Sequence, residues 1–154
     1  PESRPEVRHQ AGGATLDVAR EAYAAAGVEA EITPFIDDMA AVYEWADLAI
    51  CRSGALTVSE LAAAGLGSIL VPFPAAVDDH QTVNAAYLVD AGAASLIQER
   101  DLDPADLADL IAALSADRER LVTMACAARG RARPDALDEL ATACLEAARD
   151  GGQP

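Results

Sequence analysis

Two apolar runs, DLAIC at 47–51 and GSILVPF at 67–73, constrain this chain most. Neither alternates polar with apolar side chains, so each reads as a strand buried on both faces. Strands of that kind belong to parallel sheets covered by helices. Each run leads into a segment of helical pattern that a glycine closes: Gly65 after 56–64, and Gly92 after 82–90. The same alternation precedes them. EVRHQ at 6–10 reads as a strand and GG at 12–13 as a turn. Thr15 is placed to cap a helix running to Ala26 with Gly27 just past its end. AEIT at 30–33 is a short strand ended by Pro34, and Asp37 or Asp38 can cap two helical turns with Met39, Val42, Tyr43 and Ala46 on the apolar side. After a last strand in AASLIQ at 93–98, helices are expected at about 104–115, 117–131 and 134–149, the first opened by Asp103-Pro104. The last sets Leu137, Leu140, Ala141, Cys144, Leu145 and Ala148 on one face. This order predicts a doubly wound α/β domain with a parallel sheet over residues 1–150, followed by a short tail at 151–154.

Composition agrees and excludes some functions. The 154 residues suit one domain. Apolar residues make up 52%, many of them alanine, and aromatics 4%, which favours slim helices packed close on a sheet. A net charge of −15 argues against nucleic acid as a partner and against this chain being the part that grips an anionic membrane. Cys51, Cys126 and Cys144 form no CxxC pair and read as buried thiols of a reducing compartment. His9 and His80 are too few and too separate to hold a metal. No signal peptide opens the chain, and no apolar run approaches the roughly 18 residues of a membrane span. The start PESRPEVRHQ lacks a Met and enters a strand at once, so a fragment of a longer protein is expected.

Open α/β sheets take ligands at the carboxyl ends of their strands, and two loops lie there. In RSGA at 52–55 a strand turns into a helix start, whose unpaired N–H groups and positive dipole end favour an anion. Gly54 would let a ligand approach the backbone, although Ser-Gly serves equally as a plain cap. Glu60 stands two helical turns beyond Ser53. A carboxylate repels phosphate but accepts hydrogen bonds from two neighbouring ribose hydroxyls, so the pair suggests a nucleotide or sugar nucleotide. The alternative is a surface residue on an exposed helix face. In the second loop, PFPAAVDDHQTVNA at 72–85, Gln81 and Asn84 suit sugar hydroxyls. His80 could donate to phosphate or serve the next helix as a cap partner, while Asp78 and Asp79 read as capping residues. In PFIDDM at 34–39, Phe35 and Ile36 could sit over a flat base with the Ile36 backbone reading its edge, or be ordinary core residues.

The stretch PFIDDMAAVYEWADLAICRSGALTVSELAAAG, followed by LVPFP and DDHQTVNA, resembles the donor-binding half of the MurG family, glycosyltransferase family 28. The likeness runs from about Val7 to the final helix, and FIDDM, RSGALTVSE and HQTVNA carry it together. It implies one Rossmann-like half of a GT-B fold. It also implies inverting transfer of N-acetylglucosamine from its UDP donor to lipid I, giving lipid II for peptidoglycan, with neither metal nor cofactor. Carried over, Phe35 and the Ile36 backbone would hold uracil and Met39 would close the side of the pocket. Arg52, Ser53, Ala55, Leu56, Thr57, Val58, Ser59 and Glu60 would line the donor pocket, with Glu60 on the ribose hydroxyls. Ala55 and Leu56 backbone groups, with Thr57, would face sugar and diphosphate, and Gln81 beside His80 the hydroxyls of N-acetylglucosamine.

The family further implies peripheral association with the cytoplasmic face of the bacterial inner membrane. Its catalytic base, acceptor site and glycine-rich phosphate loop lie ahead of the region matched here, so this chain alone is expected to transfer nothing and to bind UDP weakly. A donor half of another GT-B transferase with a different acceptor, or a stand-alone donor-binding subunit, would carry the same motifs.

Overall fold

The computed structural model describes residues 4–74 and 79–150. In chain order the elements are β1 (Arg8–Gln10), α1 (Leu16–Ala25), β2 (Glu31–Thr33), α2 (Met39–Trp45), β3 (Ala49–Cys51), α3 (Ala55–Ala64), β4 (Ser68–Leu70), α4 (His80–Val89), β5 (Ala94–Leu96), α5 (Pro104–Ala116), α6 (Arg118–Arg129) and α7 (Ala136–Asp150). A 3-10 turn at Glu99–Asp101 precedes α5. The chain divides into two compact units, one formed by the stretch up to Ala46 with Asp103–Arg118, the other by Asp47–Leu102 with the stretch from Glu119 on.

Every strand pair is parallel, as the buried apolar runs require. In the first unit β1 lies beside β2, with Arg8 opposite Glu31 and Gln10 opposite Thr33. In the second the order is β3-β4-β5, with Cys51 opposite Leu70 and Leu70 opposite Leu96. A helix links each strand to its neighbour, because parallel strands cannot be joined by a tight turn. The central strand β4 is wholly buried, as its sequence demands. Strand β3 departs from expectation: Ile50 is 46% exposed and Ala49 and Cys51 are half-buried. Among the described residues β3 pairs on one side only, whereas β4 pairs on both.

The core of the second unit is built from short side chains that bring helices close. Val58, Leu61 and Ala62 of α3 are buried, as are Ala85 and Leu88 of α4 and Leu121, Met124 and Ala128 of α6. Gly67 shows how close: a Cβ there would lie 3.0 Å from the Met124 Cβ. At the end of α3, Gly65 adopts φ +70° and donates its N–H to Ala62, while the Leu66 N–H reaches back to Leu61 at 3.0 Å. This is a Schellman cap, and the buried Leu61 and Leu66 supply its apolar contact. The same pair of bonds closes α4 at Gly92 and Ala93.

Asp103 caps α5 as expected, accepting from the Ala105 and Asp106 N–H groups ahead of Pro104. Of the two candidates for α2, Asp38 is the cap, accepting from the Ala41 N–H at 3.0 Å. Thr15 holds the N-cap position of α1 but does not cap it; its hydroxyl donates to the Ala11 carbonyl instead. Helix α7 leaves Leu137, Leu140 and Leu145 exposed.

The expectation of buried thiols is corrected: Cys126 and Cys144 are exposed and Cys51 is half-buried. Burial pushes the Cys51 thiol up to about 11. A thiol reacts as its thiolate. With iodoacetamide near pH 8, Cys126 and Cys144 are therefore expected to alkylate at least roughly tenfold faster than Cys51. Equal rates by peptide mass mapping would show that β3 opens in solution.

Candidate functional site

In the second unit the chain leaves β3 at Cys51, turns through residues 52–54 and enters α3 at Ala55. Gly54 takes the N-cap position in an extended conformation, and no side chain caps the helix. The first-turn N–H groups of α3 thus lack the side-chain acceptor that would normally meet one of them. The helix has a clear inner and outer side. Val58, Leu61 and Ala62 face the core, Thr57 is half-buried, and Ala55, Leu56, Ser59 and Glu60 are exposed. Leu56 is 80% exposed, an unusual position for a leucine on the first turn of a core-packed helix.

The Val58 side chain is part of the core, 4% exposed. The Ser59 hydroxyl donates to the Ala55 carbonyl at 2.9 Å, inside the helix.

Ser53 is fully buried, and its Oγ donates to the Gln81 carbonyl at 2.8 Å. Asn84 Nδ2 in turn donates to the Ser53 carbonyl at 3.2 Å, and Gln81 Oε1 accepts from the Phe73 N–H at 2.9 Å. These polar groups, read from sequence as ligand contacts, bond to one another and fasten the 52–54 turn to the start of α4 and to the end of the β4 segment. Arg52 does the same from another side. It donates to the carbonyls of Val71 and Pro72 at 3.2 and 3.0 Å, pairs with Glu99 at 2.5 Å, and lies 5.5 Å from the Phe73 ring centre. Its charge is met by Glu99 of the 3-10 turn.

Helix α4 begins at His80, two residues before the expected Thr82, and His80 is exposed. Asp79 holds the N-cap position with φ 52°, a left-handed conformation that aspartate tolerates better than most residues. It does not cap through its side chain. Its carboxylate accepts from Thr82 Oγ1 at 2.6 Å, and Gln98 Nε2 donates to the same hydroxyl at 3.0 Å. Asp78, the other expected capping residue, lies outside the described residues.

The first unit carries the 34–39 segment. Phe35 is 64% exposed, so it is not a core residue; Ile36 and Met39 are half-buried. A cleft of about 290 Å³ opens beside them, lined by Arg8, Thr33, Phe35, Ile36, Asp38 and Val42, among others. Arg8, one of its lining residues, lies 4.2 Å over the Trp45 ring and 3.1 Å from Glu31. The Ile36 N–H donates to Gln10 Oε1 at 3.0 Å, a contact between segments 26 residues apart that no local pattern signals. Among the described residues no group of three His, Cys, Asp or Glu is placed to hold a metal ion.

The profile of the glycosyltransferase family 28 C-terminal domain matches residues 2–140. The chain is 59% identical over 145 residues to the UDP-N-acetylglucosamine–N-acetylmuramyl-(pentapeptide) pyrophosphoryl-undecaprenol N-acetylglucosamine transferase of Marinobacter nauticus, covering 94% of this chain. It is 58% identical over 147 residues to the transferase of the same name from Chromohalobacter salexigens, covering 96% of this chain. It spans 40% of the length of each of these relatives. Among solved structures, MurG of Acinetobacter baumannii superposes with a TM-score of 0.86 at 41% identity, over 92% of this chain and 43% of that one. The parallel α/β architecture is thus that of a Rossmann-like half of a GT-B enzyme, and the chain belongs to the glycosyltransferase family 28 C-terminal domain family.

Proposed function

We propose that residues 1–150 bind UDP-N-acetylglucosamine as the donor domain of an inverting transferase that moves N-acetylglucosamine onto lipid I to make lipid II, with 151–154 as a tail. The observation that carries this reading is the outer face of α3. An uncapped helix start with Ala55 and Leu56 exposed is followed one turn later by the exposed carboxylate of Glu60. Diphosphate suits the first and vicinal ribose hydroxyls the second. Taken by itself, the first unit exposes Phe35 beside a cleft, with the character of a stacking surface for a base. The names of the relatives at 58 and 59% identity state the same donor sugar and acceptor.

In the reaction the acceptor hydroxyl attacks C1 of the sugar and UDP leaves. The contribution proposed for this chain is electrostatic: the N–H groups and dipole of α3 meet the charge that grows on the leaving diphosphate. The base and the acceptor site are assigned to the remainder of the protein. Membrane contact is assigned there too, since a net charge of −15 suits this chain poorly for an anionic surface. No helix among the described residues is long and apolar enough to cross a membrane; the placement proposed for the whole protein is peripheral, at the cytoplasmic face of the inner membrane.

The test is calorimetric titration of UDP-N-acetylglucosamine, UDP and UDP-glucose into the full-length protein. UDP and UDP-N-acetylglucosamine are expected to bind, and UDP-glucose more weakly than UDP-N-acetylglucosamine. Equal binding of the two sugar nucleotides would refute the sugar assignment, and no binding of UDP would refute the donor site.

A further inference from the structure

We propose that Gln10 is an internal competitor for the base subsite, its carboxamide standing where a base edge would sit until a nucleotide displaces it. This rests on the reading of the Ile36 backbone as the group that meets the base. Gln10 ends β1, opposite Thr33 of β2, and the chain beyond Thr33 turns through Pro34 and Phe35 to Ile36. That path brings the Ile36 N–H to Gln10 Oε1 at 3.0 Å, across 26 residues of sequence. Gln10 is exposed and Ile36 half-buried, beside the exposed Phe35 and the cleft that Ile36 helps to line.

The chemistry of the match is specific. A glutamine carboxamide offers a carbonyl acceptor with an N–H donor on the same edge. Uracil offers O4 and N3–H in that same order. Cytosine offers an amino donor beside a ring nitrogen acceptor, the reverse. A backbone N–H that accepts the first arrangement meets donor with donor in the second. Gln10 therefore satisfies the Ile36 N–H with a group of uracil's own polarity. A uracil nucleotide must break that bond to form its own. An exposed side-chain hydrogen bond is weak enough to be exchanged in this way, because water competes for both partners and a long side chain loses rotamer freedom to make it. The result is a base subsite that recognises uracil without holding it tightly, which favours release of UDP after transfer.

The sign of the effect separates this role from a direct contact. Gln10→Met keeps the length of the side chain and removes the acceptor. It is expected to tighten UDP binding by about three- to tenfold, the range of one exposed hydrogen bond. Gln10→Glu supplies a charged acceptor, which holds the N–H more strongly, and is expected to weaken UDP. Binding of N-acetylglucosamine 1-phosphate, which has no base, should be the same in all three proteins. Calorimetry on the full-length protein gives these values. Weaker UDP binding by Gln10→Met would overturn the proposal and make Gln10 a base contact; unchanged binding would overturn it as well. Selective 15N-isoleucine labelling, with Ile36→Val to assign the signal, reads the bond directly. Without ligand the Ile36 amide should shift upfield in Gln10→Met; if it does not move, the competing bond is absent. If UDP binds yet leaves the Ile36 amide unmoved in every variant, the assignment of the base to Ile36 fails instead, whatever the ligand-free shift shows.

Discussion

Replacing Glu60 with alanine is expected to weaken UDP and UDP-N-acetylglucosamine binding by about a hundredfold or more while leaving the fold intact. Glu60 is exposed on the outer side of α3, and the next residue, Leu61, is fully buried on the inner side. The carboxylate and the core anchor are thus on separate faces of one helix, and the first can be removed without disturbing the second. A hydrogen bond to a charged group contributes about 1.5–3 kcal/mol. Two of them to neighbouring ribose hydroxyls, allowing for incomplete additivity, make about 3–4 kcal/mol, or roughly two to three powers of ten in affinity. Stability should change by no more than about 1 kcal/mol, the most that an exposed charged contact contributes, since alanine suits an exposed helix position at least as well as glutamate. Glu60→Gln keeps an acceptor but loses the charge and should fall between. The assignment to ribose has its own check in 2′-deoxy-UDP. Against the wild type it should bind more weakly than UDP, and against Glu60→Ala the two should bind alike. A deoxy penalty that survives the substitution would place the ribose elsewhere.

The periodic features of the sequence carried the fold a long way, and the reasons for its failures are physical. The succession of strands and helices is read run by run, and the helix stops at Gly65 and Gly92 and the Asp103-Pro104 start are set by residues within a turn of one another; the structure reproduces them. Burial of β3 is not local. DLAIC looks as apolar as GSILVPF, but exposure depends on how many strands pair with it, which no property of the run itself records. The stretch 55–60 was legible as a helix start, yet its phase was not. That Leu56 faces out and Val58 faces in depends on where α4 and α6 pack, so the leucine and the valine could not be told apart beforehand. Arg52, Ser53, Gln81 and Asn84 were legible as polar groups around one loop cluster. Their partners were not, because each bond joins segments far apart in sequence: Arg52 to Glu99, Ser53 to Gln81, and likewise Ile36 to Gln10 in the other unit.

Leu61→Ala should produce the largest loss of stability of the substitutions considered, and it tests the same helix from its inner side. Leu61 is fully buried against the β-sheet core, and its carbonyl accepts the N–H groups of both Gly65 and Leu66 at the end of α3. The substitution leaves those backbone bonds in place and removes the side chain that packs with Leu66. Truncating a buried leucine costs about 2.7–5 kcal/mol, the spread reflecting how far the surroundings close into the cavity. A domain of ordinary stability has about 5–15 kcal/mol in total, so the variant should remain folded near 25 °C but melt many degrees lower. Leu56→Ala, five residues earlier and 80% exposed, should change stability by less than about 0.5 kcal/mol. The pair therefore reads the rotation of α3 about its axis: comparable losses in urea denaturation would mean that the helix does not present the face assigned to it. Donor binding gives a second reading. If α3 forms part of the donor site, ligand at a hundred times its Kd stabilises the folded form by about 2.7 kcal/mol and should recover much of the stability lost in Leu61→Ala. In Glu60→Ala, the same ligand concentration should raise the melting temperature little, because there the fold is sound and the contact is what is missing.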